Sequence, residues 1–161
     1  MQPTEAAVVT GASSGIGEAC AQRLLERGIA VITLQRSAPR LKHPNLHFRQ
    51  IDLADLNATQ KLAQELAAEF PVRYLVNNAG ANRPALLEEA SIDDFEYVTR
   101  ITLGAAMLLT QAFVPAMRQA NAEASRNTSA QAKSNAEGVR SCSSTRRVTR
   151  RSPPCVRAVL R

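Results

Sequence analysis

From Thr10 to Gly17 the chain reads Thr-Gly-Ala-Ser-Ser-Gly-Ile-Gly, with three glycines and three hydroxyl side chains in eight positions. The apolar run Ala6-Ala7-Val8-Val9 leads straight into it, and a helical pattern leaves it and runs to Arg27, with Gly28 placed as the stop. A strand, a glycine loop and a helix in immediate succession open a β-α-β unit whose helix start presents unpaired backbone amides to an anion. Glycine removes the Cβ at three points. Gly11 lets the chain turn off the strand, Gly15 lets backbone approach a phosphate, and Gly17 lets the helix pack close to the sheet. Ser13 and Ser14 add hydroxyls beside the amides around Ile16. A plain β-α turn would need no such density of glycine and hydroxyl.

The pattern that follows is repetitive. Ile16, Cys20 and Leu24 recur four apart and predict one buried helix face. Ala30 to Leu34 reads as a second strand, and a polar turn through Pro39 and Pro44 leads to a third at Leu46 to Ile51. Leu62, Leu66 and Phe70 give a helix over Asn57 to Phe70, and Val72 to Val76 is a fourth strand. Ser91 with Asp94 three residues on predicts a capping box. Phe95, Val98, Ile101, Ala105, Leu108, Leu109, Ala112 and Phe113 then line a long helix. Strands without polar alternation are buried on both faces by helices. The expected class is therefore α/β, a Rossmann-like doubly wound parallel sheet.

The pattern stops at Arg118. From Gln119 to Gly138 there is no Val, Ile, Leu, Phe or Met, so no central strand is expected there. Charge changes at the same point: residues 1–117 hold ten Lys/Arg against twelve Asp/Glu, and residues 118–161 hold ten against two. The net charge of +6 thus belongs to the tail. Two regions are expected: residues 1–118 as the N-terminal part of a dinucleotide-binding domain, truncated after about four strands, and residues 119–161 as a disordered or weakly helical basic tail. Cys20, Cys142 and Cys155 show no metal or redox spacing, so no metal is expected. Without a leader pattern or an apolar run near the roughly 18 residues of a membrane span, the expected protein is soluble and cytoplasmic.

Further polar residues fall where the carboxyl ends of parallel strands gather ligands. Roughly 20 residues after Gly15, where an acid would meet ribose hydroxyls and an arginine a 2′-phosphate, stand Gln35 and Arg36. Asp52 and Leu53 follow the third strand, and Asn77-Asn78-Ala79-Gly80 ends the fourth. The segment TGASSGIG, the pair Gln35-Arg36, the step Asp52-Leu53 and NNAG behind VRYLV, in this order, resemble the short-chain dehydrogenase/reductase family. The phrase RPALLEEASIDDFEYV and the helix after it are most similar to the reductases grouped with 3-oxoacyl-carrier-protein reductase. The resemblance runs from Glu5 to Arg118.

The resemblance implies NADP, with NAD as the alternative cofactor. It places Gly11, Ser13, Ser14, Gly15, Ile16 and Gly17 around the pyrophosphate, Arg36 at the adenosine 2′-phosphate, Asp52 and Leu53 beside adenine, and Asn78, Ala79 and Gly80 along the ribose. It implies hydride transfer between nicotinamide and a carbonyl or alcohol carbon, and it allows a homo-oligomer through the long helix. The family's chemistry uses a Ser, a Tyr with a Lys four residues on, and an Asn on the long helix. Thr102 takes the Asn position. Tyr74 is followed four residues on by Asn78 and Tyr97 by Ile101, so these 161 residues hold no Tyr-x-x-x-Lys. A phenol of ordinary pKa about 10 needs a nearby cation to exchange a proton near neutrality, so negligible turnover is expected of the chain as written. Three readings of the whole stay open. One is an incomplete reductase whose tail is an out-of-frame or misjoined continuation. Another is a non-catalytic dinucleotide-binding protein. The last is a basic arm for nucleic acid, against which stands the absence of Phe, Tyr and Trp from residues 119–161.

Overall fold

The computed structural model describes residues 4–119 and the pair 126–127. Four strands, β1 (Ala6–Thr10), β2 (Ala30–Gln35), β3 (Leu46–Gln50) and β4 (Val72–Asn77), pair in parallel in the order β3-β2-β1-β4. Ala6 to Thr10 align with Ala30 to Leu34 on one side, and Ala7 to Val9 with Tyr74 to Val76 on the other. β1 and β2 are buried along their whole length, as unbroken apolar runs require. β3 lies at an edge and is only half-buried, so the expectation of burial on both faces fails for it.

Side chains of the central strands alternate between two cores. Val8, Ile32 and Leu34 point to one face, where α2 (Leu56–Glu69) supplies Ala63 and Leu66 and the long helix supplies Ala105, Leu109, Phe113 and Met117. Ala7, Val9 and Val31 point to the other, covered by Ala21 and Leu25 of α1 (Gly15–Glu26). Helices on both faces of a parallel sheet make the predicted doubly wound architecture. Each fully buried Leu, Ile or Phe contributes about 1.5–3 kcal/mol of apolar transfer, so this double core is the main force that holds the loops at the sheet's carboxyl edge.

Local chemistry sets the helix ends. Asp55 caps α2 by accepting from the Ala58 amide at 2.9 Å. Ser91 accepts from the Asp94 amide at 3.1 Å and opens the long helix as predicted. That helix is not uniform: α3 (Ile92–Thr99) passes through a π-helical turn at Arg100–Gly104 into α4 (Ala105–Gln119). The π turn had no counterpart in the periodicity.

Three expectations need correction, and one short edge strand had not been forecast. The buried stripe of α1 is Gly17, Ala21 and Leu25, while Ile16, Cys20 and Leu24 flank it half-buried, because the smallest side chains allow the closest approach to the sheet. Phe95 is 64% exposed and α3 buries no residue, since among the described residues it packs chiefly on the π turn that follows it, whereas α4 packs on α2 and β4. The helix from Ile92 to Arg118 is long and apolar enough to cross a membrane by length and composition, against the expectation that no such segment exists. Its apolar character comes in part from the stripe at Ala105, Leu109, Phe113 and Met117, which is buried in the core. Finally, Arg126 and Asn127 form a two-residue strand, β5, parallel to Val76 and Asn77. Backbone pairing at a sheet edge needs no apolar side chain, which is why composition did not forecast it. The disorder or weak helicity expected of the remaining tail, with Cys142 and Cys155, falls outside the described residues.

Candidate functional site

β1 pairs with β2 on one side and β4 on the other, so the loops after β1 and β4 meet at the carboxyl edge of the sheet. Two side chains tie these loops together. The Thr10 hydroxyl accepts from the backbone amides of Asn78 and Ala79, both at 2.9 Å, and donates to the Val76 carbonyl at 3.4 Å. In return the Asn78 side-chain amide donates to the carbonyls of Thr10 at 3.1 Å and Gly11 at 3.0 Å. Thr10 and Asn78 are both buried, which makes each of these bonds costly to leave unmade.

The glycines fit this cradle for distinct reasons. Gly11 turns at φ +67°, and a Cβ there would stand 3.0 Å from Ala79 Cα. Gly15 has φ +62°, and among the described residues nothing lies within 4 Å of where its Cβ would be, which leaves open space beside the helix start. A Cβ on Gly17 would collide with the Gly11 carbonyl oxygen and lie 2.5 Å from Asn78 Nδ2. Ser14 occupies the N-cap of α1 without making a side-chain cap bond. The first amides of α1 therefore keep their donors, and the positive end of the helix dipole lies at the loop.

A cleft of about 710 Å³ opens at this edge. Gly11, Ser13, Ser14, Gly15 and Ile16 line it from the first loop, Arg36 from the end of β2, Asp52 and Leu53 from beyond β3, and Asn78, Ala79 and Gly80 from beyond β4. Eleven of the twelve residues expected to hold the cofactor thus share one cavity. Gly17 does not line it: it lies beneath, packed on Gly11 and Asn78, and acts on the site only through their placement. Asp52 is exposed, and its carboxylate accepts from the Ala54 amide at 3.0 Å. Leu53 is 6% exposed and gives the cleft an apolar floor. Thr102 is half-buried in the π turn, outside the cleft lining, and its hydroxyl has no hydrogen-bond partner among the described residues.

Sequence reasoning missed three residues. Thr10 was read as part of the loop motif and not as the clasp to β4, because its partners lie 68 and 69 residues away. Arg83 and Tyr97 line the cleft, although the phrase RPALLEEASIDDFEYV that contains both carries a family resemblance alone and gives neither a site role. Arg36 Nη1 donates to the Tyr97 hydroxyl at 3.4 Å, and the Arg83 guanidinium sits 4.9 Å from the Tyr97 ring centroid. Among the described residues no three His, Cys, Asp or Glu side chains gather as a metal site.

The family model for short chain dehydrogenases matches residues 5–141. The chain belongs to the short-chain dehydrogenase family. The match extends past Arg118, where the motif resemblance ended, into the basic tail. Benzil reductase ((S)-benzoin forming) of Bacillus subtilis is 36% identical over 112 residues, which cover 66% of this chain and 46% of that protein. The NADP-dependent 3-hydroxy acid dehydrogenase YdfG of Escherichia coli K12 is 32% identical over 124 residues, covering 71% of this chain and 49% of that one. A metagenomic short-chain oxidoreductase solved in complex with NADP superposes with a TM-score of 0.71 at 29% identity, covering 78% of this chain and 61% of the other. This short-chain dehydrogenase therefore spans about half the length of the curated relatives it matches.

Proposed function

We propose that the chain is the cofactor-holding part of a nicotinamide-dependent oxidoreductase and that its cleft takes NADP. The observation that carries this reading is the joint placement of the uncapped α1 start, the open ground at Gly15 and the Arg36 side chain around one cavity. The pyrophosphate lies at the first amides of α1 with Ser13 and Ser14 beside it, where the helix dipole and hydrogen-bond donors act together. Arg36 faces the adenosine 2′-phosphate, adenine rests near Asp52 and Leu53, and Asn78 to Gly80 run along the ribose. When bound, the cofactor supplies a hydride donor or acceptor for a carbonyl or alcohol carbon. These residues bind and orient it; none of them exchanges a proton with substrate.

Neither Tyr74 nor Tyr97 has a lysine four residues on, and the guanidiniums that do stand beside Tyr97 belong to the end of the cleft that this reading gives to the 2′-phosphate, away from the reacting carbon. We therefore expect these 161 residues to bind the dinucleotide without ordinary turnover, as a soluble cytoplasmic protein. Calorimetric titration with NADPH, followed by NADPH oxidation against a panel of ketones, tests both halves. Saturable binding with no oxidation above background is the expected result. Absence of binding refutes the cofactor assignment, and oxidation at an ordinary enzymatic rate refutes the inactivity.

A further inference from the structure

Two guanidinium groups meet one phenol at the wall of the cleft. Arg36 leaves the end of β2, Arg83 lies in the segment after β4, and Tyr97 comes from α3. The Arg36 Nη1 donates to the Tyr97 hydroxyl at 3.4 Å, while Arg83 lies over the ring, 4.9 Å from its centroid. One carboxylate stands near: Asp94 Oδ1 is 3.6 Å from Arg83 Nε, and the Ser91 hydroxyl donates to Asp94 Oδ2 at 2.9 Å. Among the described residues Arg36 has no carboxylate within ion-pair distance. Two cations share the Tyr97 side chain, and one anion, Asp94, pairs with Arg83, at the edge of a cavity that both arginines line. The Asp52 carboxylate lines the same cleft and accepts from the Ala54 amide, but it makes no ion pair with Arg36, so the Arg36 guanidinium faces the cleft unpaired among the described residues.

We propose that Arg83 is a second ligand for the adenosine 2′-phosphate, positioned by the Tyr97 ring, so that preference for NADP over NAD rests on two arginines instead of Arg36 alone. The proposal rests on the reading of the cleft as a dinucleotide site. A phosphate monoester carries about −1.5 to −2 charges at neutral pH, more than one guanidinium balances, and its three oxygens accept from two planar forks at once. Tyr97 serves both: its hydroxyl meets Arg36, and its ring face holds Arg83 by cation–π attraction. A ring at this position lets the two like charges approach the same ligand without touching each other. Asp94 holds the Nε side of Arg83 and leaves its terminal amino groups to an incoming anion.

The test compares calorimetric affinities of the full chain for NADPH and NADH. Arg83→Gln is expected to weaken NADPH by about tenfold, the loss of one charge-assisted contact, and to leave NADH within about twofold. Arg83→Lys, which keeps the charge but not the planar face on Tyr97, is expected to fall between. Tyr97→Leu, lacking both hydroxyl and ring, is expected to lower the NADPH to NADH preference at least as far as Arg83→Gln. An unchanged preference in Arg83→Gln, or an equal loss for both cofactors, overturns the proposal. Thermal melting of each variant separates folding from binding, and Arg83 is more than half exposed, so its replacement leaves the core intact. A wild-type chain that binds neither cofactor sinks the cofactor reading itself. One that prefers NADPH while Arg83→Gln keeps the same ratio sinks the second-ligand proposal alone.

Discussion

Replacing Thr10 with valine removes one oxygen and almost no volume, and it isolates the clasp between the loops after β1 and β4. The Thr10 hydroxyl accepts two backbone amides at 2.9 Å, from Asn78 and Ala79, and Thr10 is 2% exposed. Valine offers no acceptor, and water has little access to replace it. Leaving a buried donor unmade costs about 1–3 kcal/mol, so two such donors, one only partly buried, give an expected loss of about 2–4 kcal/mol. Domains of this kind hold about 5–15 kcal/mol in total, which makes the loss a large fraction of stability. With a urea slope of about 2 kcal/mol/M, the middle of the usual range, the unfolding midpoint should fall by about 1–2 M. Thr10→Ser retains the hydroxyl and should stay within about 1 kcal/mol of wild type, losing only a methyl group. The assay is equilibrium urea unfolding of the full chain followed by far-ultraviolet circular dichroism. A Thr10→Val midpoint equal to that of wild type would refute the clasp as a source of stability and with it the argument that β4 positions the glycine loop.

Gly17→Ala gains about 1 kcal/mol of helix propensity but drives a methyl group into the Gly11 carbonyl and the Asn78 amide, overpacking that costs about 1–3 kcal/mol or more; NADPH affinity should drop while far-ultraviolet helicity holds. Phe113→Ala empties the centre of the larger core and should cost about 3–5 kcal/mol in urea unfolding, and a loss under about 1 kcal/mol would contradict its place there. In the nucleotide sequence, translating the other two frames beyond the Arg118 codon should restore an apolar strand ending in Ser and then a Tyr-x-x-x-Lys; if neither frame does so, the out-of-frame account of the tail fails.

The strands and the loops that line the cleft follow from short-range signals that a sequence displays openly. Unbroken apolar runs at Ala6 and Ala30 can only be central strands, and the glycine loop fixes where the first helix must begin. What escaped has a common physical cause, namely contact between residues distant along the chain. The α1 face was placed one residue off because Gly17 and Ala21 contribute by being small, and smallness gives no apolar signal. Phe95 satisfies helical spacing, yet whether a spaced residue is covered depends on which elements pack against its helix. The Arg36, Tyr97 and Arg83 cluster joins three segments that no local pattern connects. The π turn at Arg100–Gly104 coincides with the close approach of Gly104 to Leu56, where a Cβ would stand 2.9 Å from the leucine side chain.

The central claim is that the cleft at the carboxyl edge of the sheet binds a nicotinamide dinucleotide in these 161 residues. Thermal melting of the full chain across a series of NADP concentrations tests it most directly. Binding confined to the folded state stabilises by about 2.7 kcal/mol at a hundred times the dissociation constant, so the midpoint should climb by several degrees and keep rising with ligand. A Gly15→Ala variant, strained at φ +62° and closed in front of the helix start, should lose most of that rise. A wild-type midpoint that stays flat from micromolar to millimolar NADP would contradict the account.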